Sequence, residues 1–167
     1  MRIYIPYCLL FPIPLSELPA KYQSTPNGRY AFRISPCKRQ YFRFAVNLQC
    51  GCSANPRDDI ALHLSPRFDG NLSRVVRNSL QQQNWGSEES IGHFPFALGK
   101  PFEILILVQL DHFKIAINGE HYTEFRYRMP LQKITAIAID GDVILNSVRC
   151  EGAVIFLITF LWLIPYV

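Results

Sequence analysis

The sequence lacks the features that mark several large protein classes. No stretch shows a sustained helical period, and no block of like charges occurs, although Lys and Arg together outnumber Asp and Glu by 17 to 13. Domains that bind nucleic acid or an acidic membrane surface usually carry such a block or a recognisable reading motif. The scattered basic residues therefore argue against both partners, and we expect no nucleic-acid binding.

Cysteine is sparse and poorly spaced for a structural role. The chain has five cysteines, Cys8, Cys37, Cys50, Cys52 and Cys150. An odd number cannot pair fully within one chain, and Cys50 and Cys52 stand too close for the usual zinc pairs. We expect free thiols in a reducing compartment, with no metal or other cofactor.

Both ends lack a clear targeting signal. Residues 1–11 combine a basic start with an apolar run, but Pro6, Pro12 and Pro14 break it and no small-residue cleavage site follows. The tail at residues 153–167 is apolar throughout, yet it is shorter than the roughly 20 residues of a bilayer span. For this tail, a buried or aberrant terminal segment is the favoured interpretation. A membrane anchor is the alternative.

The remaining chain reads as one all-β domain. Large apolar residues alternate with smaller or polar ones in residues 42–49 and 59–64, as a strand covered on one side requires. Further strands are predicted at residues 74–80, 101–108, 113–117, 120–127, 134–139 and 143–148. Many short strands at regular spacing favour a sandwich of two antiparallel sheets, of the jelly-roll type.

Turn signals separate these strands and limit the domain. Asn118-Gly119 is a strong hairpin signal, because both positions must accept positive φ, and residues 140–142 form a second turn signal. Residues 28–34 are expected to supply an edge strand. We predict an irregular segment at 1–27, a domain at 28–150 and an apolar tail at 151–167.

Polar side chains gather along two of the predicted strands. Alternate residues of a strand share a face, so His63, Ser65 and Arg67 project together while Leu62 and Leu64 enter the core. The next strand brings Asn78 in the run Val76-Arg77-Asn78. The face would therefore carry several hydrogen-bonding groups side by side.

An aromatic residue and an acid follow directly. Trp85 opens the run Trp85-Gly86-Ser87-Glu88-Glu89-Ser90, in which Glu88 and Ser90 are two apart and are expected to face one surface. Sugar hydroxyls are read by charge-assisted hydrogen bonds, which Arg67 and Glu88 can supply. Galactose also has an apolar C–H face that an indole ring can cover at low entropic cost.

These motifs resemble the galectin family. Its members share His-x-Asn-Pro-Arg, then Val-x-Asn, then Trp-Gly-x-Glu-x-Arg. At the corresponding places and in the same order, this chain has His63-Leu64-Ser65-Pro66-Arg67, Val76-Arg77-Asn78 and Trp85-Gly86-Ser87-Glu88-Glu89-Ser90. The resemblance extends over about residues 28–149. It implies a two-sheet sandwich that binds β-galactoside glycans and glycoproteins on a concave sheet face, without catalysis.

The resemblance also implies roles for individual residues. His63 and Arg67 would contact the axial 4-hydroxyl, Asn78 and Glu88 the 6-hydroxyl, and Trp85 would stack on the ring. Two positions depart from the family, because Ser65 stands where Asn is usual and Ser90 where Arg is usual. Each lost polar contact costs about 1 kcal/mol, so affinity is expected to fall roughly tenfold or more.

Two other functions remain in competition with the lectin. The first is a galectin-like scaffold that has lost its sugar affinity and binds a protein partner, which Ser65 and Ser90 motivate. The second is a glycosidase, which needs two carboxylates flanking the scissile bond. Glu88 and Glu89 are adjacent and would point to opposite faces, which disfavours an enzyme.

The resemblance carries expectations about location and assembly as well. Family members typically work in the cytosol and nucleus and reach the cell surface by an unconventional route. A homodimer or a tandem-domain context would also be compatible with the family.

Overall fold

The computed structural model describes residues 2–6, 28–36 and 42–151. The strands are β1 Arg2–Pro6, β2 Arg29–Pro36, β3 Phe42–Gln49, β4 Ile60–Phe68, β5 Arg74–Gln81, β6 Asn84–Trp85, β7 Phe102–Val108, β8 His112–Ile117, β9 Glu120–Arg126, β10 Ala136–Gly141 and β11 Val143–Glu151. Within the described ranges, the helical structure is two short 3-10 turns, Gly70–Leu72 and Leu131–Lys133. None of the described helices is long and apolar enough to cross a membrane.

The strands form two antiparallel sheets that pack face to face. One sheet has six strands in the order β1-β10-β3-β4-β5-β6, and the other has five in the order β11-β2-β7-β8-β9. Every strand pair is antiparallel. The predicted all-β, two-sheet antiparallel sandwich is confirmed.

The core lies between the sheets and follows from the alternation in the sequence. On β3 and β4, Val46, Leu48, Leu62 and Leu64 are fully buried, so the other set of residues on each strand is left on the outer face of the six-stranded sheet. Burying one such side chain stabilises the fold by about 1.5–3 kcal/mol. The burial fixes which side chains of β4 point outward.

The predicted hairpin after β8 is present. Asn118 and Gly119 have φ values of 53° and 83°, the left-handed region that a two-residue turn between twisted strands requires. β8 and β9 pair directly on either side of this turn.

One strand differs in its place from the sequence prediction. Residues 28–34 were expected at a sheet edge, but β2 pairs with β11 on one side and with β7 on the other. Its Phe32 and Ile34 are fully buried. The edge assignment is wrong, because β11 returns to cover the side of β2 that the local sequence left open.

The turn at residues 140–142 joins strands of different sheets, so it does not form a hairpin. Asp140 and Gly141 still belong to β10, and β11 begins at Val143 in the other sheet. The chain therefore crosses between the sheets here.

The terminal segments fall partly outside the described residues. Arg2–Pro6 forms β1 against β10, so the segment predicted to be irregular at 1–27 includes a strand that its proline content hid. Residues 7–27 and the apolar tail from 152 onward lie outside the described ranges, as do Cys8 and Cys37. Among the described cysteines, Cys50, Cys52 and Cys150 are free.

Candidate functional site

The outer face of the six-stranded sheet carries the predicted polar residues in neighbouring strands. His63 on β4 lies directly opposite Asn78 on β5 and opposite Asn47 on β3. Directly opposed residues of antiparallel strands project from the same face. We call the surface formed by Asn47, His63, Ser65, Arg67 and Asn78 the polar face.

His63 is held in one orientation by its neighbour on β3. Its Nδ1 lies 2.6 Å from Asn47 Oδ1, and because that oxygen only accepts, the ring donates from Nδ1 and leaves Nε2 as an acceptor. Burial, with the Arg67 and Arg57 charges, lowers the pKa of His63 to about 4 against a slight rise from Asp140. The ring is neutral at pH 7 and its free nitrogen can accept a hydrogen bond from a hydroxyl.

Trp85 stands at the edge of the polar face. It lies in the two-residue strand β6, where it pairs with Leu80, and it is 48 % exposed. Its ring contacts that of His63 edge to face, with centroids 4.9 Å apart and planes at 60°. Because so large an apolar ring stays half in solvent beside polar groups, it offers a platform for a ligand with an apolar side.

The Asn78 amide is almost fully engaged within the protein. Its Nδ2 donates to Gly86 O at 2.9 Å, while its Oδ1 accepts from the Ser79 backbone at 2.8 Å and from Arg128 Nη1 at 3.0 Å. A side-chain amide has two N–H groups and two lone pairs. One N–H therefore remains for a ligand, so Asn78 can act toward it as a donor.

Arg67 and Glu88 face each other with bonding capacity to spare. Arg67 Nη2 lies 3.7 Å from Glu88 Oε2, which is longer than a hydrogen bond. The Arg67 Nε is buried without a hydrogen-bond partner. The side chains of Arg67 and Glu88 are 31 % and 43 % exposed, so apart from the buried Nε the pair offers guanidinium donors and carboxylate acceptors at the same place, which suits the hydroxyls of a sugar.

The two serines that depart from the family pattern contribute little to this surface. Ser65 is buried, and its hydroxyl donates to Phe44 O at 2.9 Å, so its one donor is used by the backbone. Ser90 is half-buried, and its side chain makes no hydrogen bond or ion pair with the described part of the chain. Neither residue replaces the amide or the guanidinium that the family pattern has there.

Arg128 organises the segment that carries Trp85 and Glu88, and none of the motifs in the sequence pointed to it. It follows β9, and its Nη1 donates to Ser87 O at 2.9 Å as well as to Asn78. Its Nη2 lies 2.7 Å from Glu89 Oε1. The guanidinium fork therefore ties the segment after β6 to β5.

Close packing explains why residue 86 is a glycine. A Cβ added there would lie 2.8 Å from Arg128 Nη1 and 3.2 Å from Asn78 Oδ1. A side chain at this position would push against the fork. Gly86 lets the backbone approach the Asn78 amide closely enough to accept its hydrogen bond.

Asn47 is the second residue that sequence reasoning missed. Its position on an alternating strand was visible, but its pairing with His63 depends on the register between β3 and β4, which includes an irregularity near Leu48. Arg128 lies 50 residues from Asn78. In neither case did local pattern carry the signal.

Comparisons with known proteins agree with this geometry. The family model described as galactoside-binding lectin matches residues 34–150. The chain belongs to the galectin family. It is 45 % identical over 107 residues to galectin-7 of Homo sapiens, covering 64 % of this chain and 76 % of that protein.

Longer galectins and a solved structure are also similar. Galectin-4 of Bos taurus is 42 % identical over 110 residues, which is 66 % of this chain and 32 % of that protein; the match thus spans about a third of that relative. Sheep galectin-11, solved in complex with glycerol, superposes with a TM-score of 0.68 at 25 % identity, covering 76 % of this chain and 91 % of that one.

Proposed function

We propose that this galectin binds β-galactosides on the polar face and does no chemistry on them. One observation carries the proposal most directly. A half-exposed indole ring lies 4.9 Å from His63, whose free Nε2 shares the face with Arg67 and Glu88. An aromatic platform beside fixed donors and acceptors matches a pyranose that has an apolar side and a polar rim.

Each residue would meet a different part of the sugar. The axial 4-hydroxyl would donate to His63 Nε2 and accept from Arg67, so the ring that carries it would sit over β4. Asn78, with its one remaining N–H, would donate to the 6-hydroxyl, and Glu88 would accept from it. Trp85 would cover the C–H face, and Arg67 with Glu88 would reach the neighbouring sugar.

Affinity is expected to be modest. The Ser65 hydroxyl is committed to the backbone of β3, and Ser90 supplies no charge. Two missing polar contacts at about 1 kcal/mol each correspond to a loss of roughly tenfold or more.

A binding role is better supported than catalysis by the two acids of the site. Glu88 faces Arg67 and Glu89 faces Arg128, so the two carboxylates lie on different sides of the segment. A glycosidase needs two carboxylates that flank the same scissile bond, one on each side. Only Glu88 is directed toward the polar face.

The second candidate is a scaffold with little sugar affinity that binds a protein partner. It is favoured by the same two serines. Retention on lactose-agarose separates the candidates: elution by lactose but not by sucrose supports the lectin, and flow-through of the folded protein supports the scaffold.

We place the protein in the cytosol and nucleus, with export by an unconventional route as an extension of the proposal. The free Cys50, Cys52 and Cys150 thiols support a reducing compartment. Fractionation of cells that express the chain, followed by thiol labelling, tests this. A homodimer or a tandem-domain context also belongs to the proposal, and sedimentation of the chain with and without lactose addresses the former.

A further inference from the structure

Arg77 is a buried cation in the interior of the sandwich. It lies on β5 opposite the fully buried Leu64, and because directly opposed residues share a face, its side chain enters the space between the sheets, where it is only 4 % exposed. Its guanidinium donates to the backbone oxygens of Val75 at 2.9 Å and Ile91 at 3.2 Å, and no carboxylate of the described residues forms an ion pair with it. A buried charge without a partner destabilises a fold, so Arg77 is a candidate for a binding role.

Two hydrogen-bond donors beside this charge are unused within the described part of the chain. One is Arg77 Nε and the other is the Tyr122 hydroxyl, and both atoms are buried. The two side chains are neighbours, because the guanidinium carbon of Arg77 lies 5.9 Å from the centre of the Tyr122 ring. Burial raises the pKa of Tyr122 against an opposing effect of the Arg77 charge, so the hydroxyl keeps its proton at pH 7. Buried donors normally find an acceptor, and a ligand could supply one here.

Tyr122 lines a cavity of about 460 Å³ at one edge of the sandwich. The cavity lies between residues 93–97, which follow β6, and the turn end of the β8–β9 hairpin. A volume of this order is usual for small-molecule sites. Its walls are largely aromatic, and the His93 and Tyr122 rings meet edge to face with centroids 5.4 Å apart. Phe94 and Phe96 complete these walls, which suit a flat ring.

The segment that contacts Arg77 continues into the wall of the cavity. Glu89 pairs with Arg77 through two backbone hydrogen bonds of 2.8 and 2.9 Å, and Ile91 O accepts from the guanidinium. Gly92 follows, and a Cβ added there would lie 3.4 Å from the Tyr122 hydroxyl. Because glycine has no side chain, it leaves room beside that hydroxyl for an atom of a ligand. The buried charge therefore lies next to the Tyr122 wall of the cavity.

The acids near the cavity do not neutralise Arg77. Glu120 lines the cavity but is exposed on the hairpin, and solvent and salt screen an exposed charge far more than a buried one. The Glu89 carboxylate lies 2.7 Å from Arg128 Nη2 and is used there. The potential next to Tyr122 is therefore positive, which favours an anion.

We propose that this cavity binds a small aromatic carboxylate, whose ring lies between the aromatic walls and whose carboxylate accepts a hydrogen bond from the Tyr122 hydroxyl. The Arg77 charge stabilises the carboxylate from behind Tyr122. Arg77 and Asn78 are adjacent on β5, so their side chains point to opposite faces of the sheet. The cavity is thus separate from the polar face, and the proposal does not depend on galactoside binding.

The test titrates 2-naphthoate and its neutral counterpart 2-naphthamide into the isotope-labelled full chain, followed by NMR. We expect naphthoate to bind about tenfold more tightly than the amide, with shifts concentrated in residues 91–97 and 117–122. Y122F removes only the hydroxyl and should lose most of this preference. Y127F is the matched control, because the Tyr127 hydroxyl donates to Gln109 O at 2.6 Å, away from the cavity, and this variant should keep the preference.

A second variant tests the charge. R77Q should lower naphthoate affinity toward that of the amide and leave amide binding unchanged, whereas R126Q, at an exposed arginine of β9, should change neither. If R77Q does not fold, the comparison of Y122F with Y127F still decides the proposal. A folded R77Q that keeps the full preference would show that Arg77 has no part in binding the anion, and would overturn the proposal.

The other outcomes are equally decisive. Equal binding of both probes, no shifts near the cavity, or shifts confined to residues 85–90 around Trp85 would each overturn the proposal. Unchanged lactose affinity at saturating naphthoate supports two separate sites, and competition between them contradicts that separation. If naphthoate binds as described while lactose does not bind, the galactoside proposal fails and the cavity proposal stands.

Discussion

His63 meets Trp85 edge to face, with ring centroids 4.9 Å apart. One ring belongs to an inner strand of the six-stranded sheet and the other to its edge strand. This contact joins the hydrogen-bonding part of the polar face to its aromatic part. The binding proposal depends on both being present at once.

Removing the indole should weaken sugar binding strongly, with little effect on the fold. Trp85 is 48 % exposed, so Trp85→Ala loses a stacking surface rather than core. We expect lactose affinity to fall at least about tenfold, while the melting temperature changes by only a few degrees. Titration calorimetry and thermal unfolding measure the two effects. Leu110→Ala, at an exposed apolar residue next to β8, is the matched control and should leave binding intact.

Restoring the missing cation should strengthen binding. Ser90→Arg places a guanidinium where the family pattern has one, two residues after Glu88. We expect lactose to bind several-fold to about tenfold more tightly, from one added charge-assisted bond. Ser87→Arg adds the same charge three residues earlier and controls for a general rise in positive potential. Equal gains from both variants would count against a specific role for position 90.

Arg128 should act on binding without touching the ligand. It ties Asn78, Ser87 and Glu89 together, so Arg128→Ala should loosen the segment after β6 and destabilise the fold by about 1–3 kcal/mol. Arg128→Lys should rescue little, since an ammonium cannot span the same acceptors. Hydrogen exchange of residues 85–89 is the decisive readout, because the account requires faster exchange there together with weaker lactose binding. Unchanged exchange with normal binding would show that the fork is dispensable.

The low pKa of His63 makes a prediction about pH. In the folded protein the pKa of His63 is about 4, below the ordinary 6.5. Between pH 4 and pH 6.5 His63 is therefore protonated in the unfolded chain and neutral in the folded chain. The stability from this group is complete above pH 6.5 and is lost as the pH falls to about 4, by at most about 3 kcal/mol. Denaturant unfolding from pH 7 to 4, compared with His63→Gln, isolates this slope.

Lactose binding should respond in a narrower range. His63 stays neutral from pH 7 to 5, so its Nε2 remains an acceptor and affinity should be nearly constant there. Below about pH 4 the ring gains a proton and loses that acceptor. A marked loss of affinity near pH 6.5 would show that His63 titrates as an ordinary exposed histidine. It would contradict the claim that burial lowers the pKa of this ring.

The fold was largely predictable because its signals are local. Alternation in β3 and β4 identifies which leucines enter the core, and Asn118-Gly119 marks its hairpin by backbone conformation alone. The place of β2 was not predictable, because a strand becomes interior only when a distant partner, here β11, returns to it. β1 was hidden for a similar reason, since its pairing with β10 offsets a proline-rich composition.

The site residues that could be predicted are those that belong to short sequence motifs. The sequence places His63, Arg67, Asn78, Trp85 and Glu88 in the order of the family pattern, and the structure brings them to one face. The supporting residues could not be found in that way. Asn47 depends on a register with an irregularity, and Arg128 comes from the segment that follows β9, a strand of the other sheet.

The most direct test of the account is to compare lactose with cellobiose by calorimetric titration. The two disaccharides differ only in whether the terminal 4-hydroxyl is axial or equatorial, and that hydroxyl is the group assigned to His63 and Arg67. We predict measurable binding of lactose and at least about tenfold weaker binding of cellobiose. Equal binding of both sugars, or of neither by the folded chain, would contradict a galactoside site on the polar face.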